Sequence, residues 1–336
     1  MEGNRTLLLK QSEVESLIDL SDVNRLVDLT FHGMGEGTVK NPPKVSLDLG
    51  ETGNWPHYEG FMNAMPAYIG SLDVAGLKWV GGFEGEREAA GLPYITAMIL
   101  LVNPHLGTFL SVMDGAYISN VRTGAQVAQA IRYLFRKDHI TLGLYGAGMQ
   151  ARKTVRAVAD AVHIDCLHVW NHREETAQQF KEDMAEVVHG EIIVHEVSDQ
   201  AGPCQAEVVV TLTPAQEPLI RREWVQPGTV IFPMGSYQEI DDALILEADQ
   251  IIVDHPEQAL HRGALKKLHT NGQITLDDID GTLGELSLKE TGLANIDKQI
   301  TLCIPIGTGA MDVSVAYEVY RKAKEAGVGE YFDFVG

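Results

Sequence analysis

Cysteine is scarce in this sequence, with only Cys166, Cys204 and Cys303 among 336 residues. The three stand far apart and form no C-x-x-C pair, which argues against a disulfide framework and against a thiolate zinc motif. Isolated cysteines in or near apolar runs are typical of buried, reduced thiols. The sequence therefore excludes a small secreted domain held together by disulfides.

Long hydrophobic runs are also missing. The longest, around residues 97–102, is far shorter than the roughly 20 residues that a membrane helix needs. The first residues show no basic segment followed by an apolar stretch and a small-residue cleavage site, so no signal peptide is expected. These absences predict a cytoplasmic protein.

Positive charge is in short supply as well. Twenty-six Lys and Arg residues stand against 47 Asp and Glu residues, which gives a formal net charge of −21. A field of that sign repels phosphate backbones and anionic lipids, so neither nucleic acid nor a membrane is expected as a partner. Any small anionic substrate must then be held by a local cluster of cations, which makes clustered Lys and Arg residues informative.

The apolar content, 45% of 336 residues, is enough for a large core and about two domains. Near the N-terminus, capping patterns predict helices that begin at Ser12 and Ser21. Residues 42–110 then hold short β-rich segments separated by Gly, Pro and Asn turns, which predicts a mixed or antiparallel sheet.

A different pattern begins at Asn120, where an apolar helical stripe runs to Phe135. Strands then alternate with helices, which predicts an α/β domain with a Rossmann-type, doubly wound parallel sheet. The predicted strands are 140–145, 166–170, 191–194, 206–211, 229–232 and 250–253, and the predicted helices are 149–162 and 174–188.

The end of the chain holds one more predicted strand at 300–304, a Gly-rich turn and a helix at 311–326. Because it follows the α/β region, this segment, strand and helix together, is free to return to the first domain. The predicted boundaries are a discontinuous α+β domain, 1–119 with 310–336, and a Rossmann domain, 120–309.

A glycine-rich loop follows the first parallel strand and opens a helix. This G-x-G-x-x-A pattern between strand and helix is the dinucleotide fingerprint, in which small residues admit the pyrophosphate to a helix N-terminus. A purely structural turn is the alternative. The predicted cofactor-binding residues of the loop are Gly146, Ala147, Gly148, Met149, Gln150 and Ala151.

Two further segments are candidate cofactor contacts. Asn171, His172 and Arg173 stand where an acidic residue usually binds the NAD ribose, which favours NADP(H) over NAD(H). Alternatively, Arg173 is only a solvated residue at a helix start. Thr211 and Thr213 end a later strand at the ligand-binding edge of the sheet, as cofactor contacts or as an ordinary turn.

Three cations outside the Rossmann region lie in apolar or Gly-rich surroundings: Lys44, Lys78 and Arg122. A Lys within an apolar strand costs desolvation energy unless it is paired. Taken singly, each is explained by a surface or edge-strand position. Three of them together with a dinucleotide loop favour an anion-binding site.

At this point the sequence resembles the ornithine cyclodeaminase/μ-crystallin family over nearly its whole length. The resemblance implies a discontinuous substrate and dimerisation domain, a central NAD(P) domain and a homodimer. The segments that carry it are Pro42-Pro43-Lys44-Val45, Met65-Pro66, Gly76-Leu77-Lys78, 114–125 with its Arg122-Thr123-Gly124-Ala125, Gly146 to Arg152, Val225-Gln226-Pro227-Gly228 and Gly309-Ala310-Met311-Asp312.

The family transfers hydride between nicotinamide and amino acids or their imines, and it holds the substrate carboxylate in a cationic clamp. That clamp is carried over onto Lys78 and Arg122, while Lys44 stands where the family usually has Arg. Lys78 is also a candidate catalytic acid or base. Asp312 is either a second catalytic residue near the nicotinamide or substrate amine, or a carboxylate that complements a helix dipole.

One segment departs from the family pattern. Family cyclodeaminases carry an acidic residue in a longer loop, where this sequence has Tyr237. Glu239 and Asp241 are candidates to replace it, but a helix N-terminal cap is the preferred role for them. His255 and His261 are six residues apart and do not share a helical face, so no metal is expected.

The favoured function is therefore an NAD(P)H-dependent imine reductase or amino acid dehydrogenase in amino acid metabolism, acting on a 2-imino carboxylate, cyclic or open. The alternative is ornithine cyclodeaminase, an ammonia-eliminating cyclisation to proline in which the cofactor is recycled in place. A lesser alternative is a non-enzymatic, NADP-binding crystallin-like protein.

Overall fold

The computed structural model describes residues 5–50, 52–53, 55–235 and 238–334. The chain divides into two compact units, Met1–Arg122 with Thr308–Gly336, and Thr123–Gly307. The sequence places these boundaries at 119/120 and 309/310 instead. The first observed boundary falls inside a continuous helix, where no turn residues mark it.

The described residues form helices and strands throughout both units. The helices are α1 (Gln11–Leu17), α2 (Leu20–Gly35), α3 (Glu86–Ala89), α4 (Ala116–Phe135), α5 (Met149–Ala161), α6 (Glu174–Met184), α7 (Asp242–Leu246), α8 (Pro256–His261), α9 (Lys266–Thr270), α10 (Leu283–Ser287) and α11 (Gly309–Ala326). The strands are β1 (Arg5–Leu9), β2 (Val39–Lys40), β3 (Val45–Asp48), β4 (Gly60–Ile69), β5 (Val74–Phe83), β6 (Ile95–Val102), β7 (Phe109–Asp114), β8 (His139–Tyr145), β9 (His163–Trp170), β10 (Glu191–Val194), β11 (Val208–Thr211), β12 (Val230–Pro233), β13 (Gln250–Val253), β14 (Gly281–Thr282), β15 (Thr301–Ile304) and β16 (Glu330–Asp333).

The first unit is built on a mixed sheet in the order β16-β1-β7-β6-β5-β4-β2, with β3 also paired to β4. The β1–β7 pair is parallel and the other pairs are antiparallel. Helix α11 packs on α2 and on β4, β5 and β6. Along β5, Lys78 and Val80 are buried while Trp79 is exposed, as expected for a strand with one face against helices and one facing outward.

The second unit is an eight-stranded, all-parallel sheet in the order β10-β9-β8-β11-β12-β15-β13-β14. Strands β11, β12 and β15 are buried along their whole length, as central strands covered on both faces must be. The strand order reverses between β8 and β11. In sheets of this kind the ligand crevice lies at that reversal, at the carboxyl ends of the strands.

The predicted fold class, an α/β Rossmann-type sheet with a discontinuous α+β domain, is confirmed. The segment near the end of the chain is corrected in part. The strand predicted at 300–304 does not return to the first domain with the last helix: β15 lies between β12 and β13 of the second unit, in agreement with the predicted boundary at 309/310, whereas α11 and β16 belong to the first unit. Strands β1 and β16 at the edge of the mixed sheet were not predicted.

Helix starts differ from the prediction for a local reason. The N-cap residues are Lys10 for α1 and Asp19 for α2, not Ser12 and Ser21, and Asp19 accepts a hydrogen bond from the backbone of the helix. Helix α4 begins before Asn120, because the Asp114 carboxylate accepts bonds from two backbone N–H groups at its start. Of the helices described, none is long and apolar enough to cross a membrane.

Candidate functional site

The glycine-rich loop joins β8 to α5 at the reversal of the parallel sheet. Gly146 has a φ of +99°, and a Cβ there would lie 2.6 Å from the Leu212 carbonyl oxygen. Its N–H donates to the Trp170 carbonyl at 2.9 Å. Only glycine satisfies this turn, because the backbone is left-handed and the neighbouring strand end leaves no room for a side chain.

Gly148 differs from Gly146 in its surroundings. It is the N-cap residue of α5, its φ of −82° suits any residue, and a Cβ there would meet nothing within 4 Å. In the same loop Ala147 and Ala151 are buried, whereas Met149 is 54% exposed. The open space at Gly148 therefore lies at a helix N-terminus, where free N–H groups and the helix dipole attract a phosphate.

The Glu239 side chain contacts the ends of strands β11 and β12, beside this loop. Its buried carboxylate accepts hydrogen bonds from the Thr211 hydroxyl (2.6 Å), the Thr213 hydroxyl and N–H (both 2.7 Å) and the Gly235 N–H (2.6 Å). Burial nevertheless raises its pKa above the ordinary value. A Cβ on Gly235 would lie 2.4 Å from a Glu239 oxygen, so the approach requires glycine.

These contacts correct one sequence interpretation and support another. Asp241 is the N-cap of α7 and accepts from the Ala243 N–H at 3.1 Å, as predicted. Glu239 is not a cap, because its carboxylate serves Thr211, Thr213 and Gly235. Tyr237, where the family acid was expected, lies outside the described residues.

The predicted nucleotide-selecting residues follow β9. Asn171 is nearly buried and its amide donates to the Arg173 carbonyl at 2.9 Å. His172 and Arg173 are exposed, and Arg173 is the N-cap of α6, whose first turn holds Glu174 and Glu175. The strand end thus presents an amide and two basic side chains, followed by two carboxylates at the helix start.

The first unit holds a buried cluster of charges. Lys78 Nζ lies 2.5 Å from Asp312 Oδ2, and Arg122 Nε donates to Asp312 Oδ1 at 3.1 Å. The Ser119 hydroxyl accepts from Lys78 Nζ at 3.1 Å and from Arg122 at 3.4 Å. The structure thus brings together three of the predicted site residues, Lys78, Arg122 and Asp312, around a serine that sequence reasoning missed.

The electrostatics of this cluster are unusual for a protein interior. Lys78, Arg122 and Asp312 are at most 7% exposed, and two cations share one carboxylate. Burial and the neighbouring Arg122 lower the pKa of Lys78 from 10.5 to about 8, although Asp312 opposes the shift. The three side chains carry an excess of one positive charge when Lys78 is protonated, and an incoming carboxylate would neutralise it.

Helix α11 is held against the sheet where Asp312 enters the cluster. A Cβ on Gly309 would lie 2.4 Å from the Met65 carbonyl oxygen, so glycine allows the helix start to contact β4. The Asn41 side chain accepts a bond from the Ala310 N–H at 3.0 Å. These contacts place the first turn of α11 beside Lys78, because Met65 and Lys78 are paired across β4 and β5.

Lys44 is half-buried and lies one residue before β3. Val45 pairs with Ala64, and Met65 pairs with Lys78. Continuing that register places Lys44 opposite Met65, on the same row of the sheet as Lys78 and two strands away. Opposed residues of antiparallel strands share a face, so Lys44 is on the row of the charge cluster, and its part in a clamp stays a prediction.

Two features were not predicted from the sequence: the contacts of Ser119 with Lys78 and Arg122, and the role of the Glu239 carboxylate in binding the neighbouring strand ends. Ser119 stands three residues before Arg122, a spacing that places two side chains on one helical face; that signal was available. Glu239 had no comparable signal, because its partners come from strand ends that are distant in sequence.

The model of the "Ornithine cyclodeaminase/mu-crystallin family" matches residues 4–327. Alanine dehydrogenase of Archaeoglobus fulgidus is 33% identical over 98% of both chains. Two solved structures are also similar: an archaeal alanine dehydrogenase dimer with bound NAD (33% identity, TM-score 0.88, 98% and 99% of the two chains) and Δ1-pyrroline-2-carboxylate reductase of Thermococcus litoralis with NADH and L-proline (30%, 0.85, 97% and 99%).

Both similar structures are nicotinamide enzymes that cover nearly the whole chain, and the similarity extends through both units. The predicted reaction class, an NAD(P)-dependent dehydrogenase or imine reductase, is confirmed at the level of the family. This chain belongs to the ornithine cyclodeaminase/mu-crystallin family.

Proposed function

We propose that this protein uses a reduced nicotinamide to convert a small 2-imino carboxylate, cyclic or open, into the corresponding amino acid. The observation that carries the proposal is the buried cluster in which Lys78 and Arg122 share the single carboxylate of Asp312. Two buried cations that face one carboxylate form a place where the carboxylate of a substrate can be bound by charge-assisted hydrogen bonds.

Each residue of the charge cluster has a separate proposed role. Arg122 offers a planar fork of donors to the carboxylate, and Lys78 adds a point charge. A bound reduced nicotinamide would supply hydride for the imine carbon, and the imine nitrogen needs a proton to become an amine. Lys78 is the proposed proton donor, since a pKa of about 8 lets it give up a proton near neutral pH. Asp312 holds both cations in position, and Lys44 is proposed as a further carboxylate contact.

The substrate is proposed to have a small apolar side chain. The support comes from the relatives, since one is named an alanine dehydrogenase and another was solved with L-proline. Ornithine cyclodeamination is the second candidate, and it is disfavoured because Tyr237, which lies outside the described residues, stands where family cyclodeaminases carry an acidic residue. A crystallin-like binding protein is disfavoured by the intact charge cluster.

The deciding experiment follows reduced nicotinamide absorbance with Δ1-pyrroline-2-carboxylate, and with pyruvate plus ammonia or methylamine. Ornithine is tested in parallel for ammonia release. Consumption of one reduced nicotinamide per imine supports the proposal. Ammonia release from ornithine without net nicotinamide turnover contradicts it and identifies a cyclodeaminase, and nicotinamide binding with neither reaction indicates a binding protein.

We also propose that the loop from Gly146 to Ala151 binds the dinucleotide with NADP(H) preferred. The support is the row Asn171, His172 and Arg173, which offers no carboxylate to a ribose 2′-hydroxyl and a guanidinium to a 2′-phosphate. Arg173→Ala should weaken NADPH binding and leave NADH binding unchanged, in fluorescence titrations of both. Equal effects on the two nucleotides, or a wild type that binds NADH more tightly, would refute the preference.

A homodimer is proposed through the outer face of the mixed sheet. Val45, Trp79 and Met98 are each more than half exposed there, and they stand near one another because Trp79 pairs with Met98 and with Ala64, the partner of Val45. Exposed apolar patches of this kind mark association surfaces. In sedimentation velocity, Trp79→Asp should give monomers, and Leu246→Asp on an exposed residue of the other unit should leave the dimer intact.

A further inference from the structure

Three side chains that ligate metals converge at the amino-terminal edge of the parallel sheet. His139, His163 and Asp165 each offer a ligand atom, and these atoms all lie within 4.8 Å of one another. His139 Nδ1 is 2.8 Å from Asp165 Oδ1, and His163 Nε2 is 3.5 Å from the same oxygen. All three residues lie in the second unit, and their side chains are 39–64% exposed.

A β-bulge builds this arrangement. His139 pairs with His163 and Ile140 with Ile164, but the next pair is Thr141 with Cys166. Asp165 is therefore the extra residue of the bulge and has no partner on β8. Bulges re-aim side chains and occur preferentially near functional sites. Here the bulge brings a carboxylate to two imidazoles that stand side by side at the starts of neighbouring strands.

A third imidazole lies next to the cluster. The His189 ring stacks on the His163 ring with centroids 6.3 Å apart. The chain approaches closely because Gly190 follows His189, and a Cβ on Gly190 would lie 2.2 Å from the Asp165 carbonyl oxygen. Only glycine allows this contact with the bulge. Two independent features, a bulge and a close glycine contact, thus gather three imidazoles and one carboxylate.

We propose that His139, His163 and Asp165 form a binding site for one divalent ion of the Zn²⁺ class, with His189 as an optional fourth ligand. Imidazole and carboxylate ligands suit Zn²⁺, Ni²⁺ and Cu²⁺ rather than Mg²⁺ or Ca²⁺. Ligand atoms about 2.1 Å from a tetrahedral zinc lie about 3.4 Å from one another. The separation of His163 Nε2 and Asp165 Oδ1, 3.5 Å, matches that value, whereas His139 Nδ1 lies 2.8 Å from the same oxygen, at hydrogen-bond distance, and has to move away from it to ligate an ion.

A second exposed His–Asp pair in the chain serves as a control for the proposed metal site. His105 Nε2 lies 2.6 Å from Asp73 Oδ2 on the surface of the other unit. Tyr68 donates to the same carboxylate at 3.0 Å, so this pair is completed by a phenol instead of a second imidazole. Among the described residues it has the hydrogen bond but no third metal ligand, so metal binding should distinguish the two places.

The proposed metal site and the dinucleotide loop lie at opposite edges of the parallel sheet. His139 and His163 are the first residues of β8 and β9, whereas Gly146 follows the carboxyl end of β8. A metal at the amino-terminal edge would therefore sit at the opposite edge of the sheet from the dinucleotide loop. Its expected effect is to cross-link β8, β9 and the segment before β10, and so to stabilise the Rossmann unit.

The test is calorimetric titration of the intact protein with Zn²⁺ and, separately, with Ni²⁺. Imidazole ligands suit both ions, and Ni²⁺ is included because Zn²⁺ also has a high affinity for thiolates such as those of the three cysteines. The wild type should bind one equivalent. His163→Ala and Asp165→Asn should each lower the affinity by more than the roughly 10- to 100-fold that loss of an outer partner of a metal ligand costs. His105→Ala, the matched control, should bind as the wild type does.

A second readout is the thermal midpoint of unfolding with and without Ni²⁺, which should rise for the wild type and for His105→Ala only. The exposed positions of the substituted residues make misfolding easy to exclude from the midpoints without metal. Absence of one-equivalent binding by the wild type would overturn the proposal. So would affinities that His163→Ala and Asp165→Asn leave unchanged, or that His105→Ala lowers equally.

Discussion

The Lys78 ammonium nitrogen lies 2.5 Å from a carboxylate oxygen of Asp312, and both side chains are buried. An unpaired ammonium at this depth would cost several kcal/mol, so Asp312 makes the buried Lys possible. Because Arg122 uses the other oxygen of the same carboxylate, Asp312 cannot neutralise both cations. The two contacts therefore hold Lys78 and Arg122 on either side of one carboxylate, in the arrangement that we propose for the substrate site.

The first prediction concerns the paired donors of the Arg122 guanidinium. Arg122→Lys keeps the charge but loses the planar donor pair, and a charged hydrogen bond contributes about 1.5–3 kcal/mol. We expect KM for the imino acid to rise by about 10- to 100-fold, since 1.4 kcal/mol is tenfold. Steady-state kinetics measures this. Dinucleotide affinity, titrated separately, should not change, and its loss would show that Arg122 does not serve the substrate.

The second prediction concerns pH. Lys78 is protonated below its pKa of about 8 and neutral above it, so the reductive kcat/KM should fall as pH rises through about 8. The oxidative direction, which needs a base, should rise over the same range. Lys78→Met should remove the reductive activity at every pH. A reductive profile that is flat from pH 7 to about pH 9 would argue against Lys78 as the acid.

Asp312 provides a control on that assignment. Its negative charge raises the pKa of Lys78 against the lowering by burial and Arg122. Asp312→Asn should therefore move the alkaline limb of the profile to lower pH, in addition to reducing the rate. A purely structural role for Asp312 would lower the rate without moving the limb.

Much of the fold and part of the site were predictable because their signals are local. The loop from Gly146 to Ala151 follows an apolar strand and opens a helix, and it occupies the predicted place. Lys78 within an apolar strand indicated a buried, paired charge, and the structure pairs it with Asp312. In both places the residue types and their spacing along the chain carry the physical requirement.

Other features depend on contacts between distant segments. Glu239 resembles a cap in sequence, but it is bound by residues from two strand ends and a loop. The bulge at Asp165 depends on how β8 and β9 are paired, which periodicity within one strand does not reveal. The edge strand β16 is exposed along its length, so it lacks the alternating apolar pattern that predicts a strand.

The third prediction concerns Glu239. All four groups that contact the Glu239 carboxylate donate hydrogen bonds to it. Glu239→Gln replaces one acceptor oxygen with an NH2 group, which is itself a donor, so at least one buried donor loses its acceptor. That costs about 1–3 kcal/mol, and dinucleotide affinity should fall as Thr213 and Gly235 shift. Denaturant unfolding and nucleotide titration measure the two effects.

Asp241→Ala is the matched control for Glu239. It removes only the cap of α7, which costs about 1 kcal/mol, and it should leave dinucleotide affinity unchanged. Equal losses of affinity in the two variants would mean that Glu239 acts through general stability and not by holding the strand ends.

The fourth prediction separates two glycines of one loop. Gly148→Ala places a methyl group in open space on a backbone that suits any residue, so the free energy of unfolding should fall by no more than about 1 kcal/mol, the cost of alanine at a helix N-cap. If the loop binds the dinucleotide as proposed, the same methyl group would meet the pyrophosphate, and dinucleotide affinity should fall about tenfold or more. Gly146→Ala should instead destabilise the fold by at least about 1–2 kcal/mol, because its φ is +99° and its Cβ would lie 2.6 Å from the Leu212 oxygen. Chemical denaturation and nucleotide titration of both variants test this, and an unchanged affinity in Gly148→Ala would place the phosphates elsewhere.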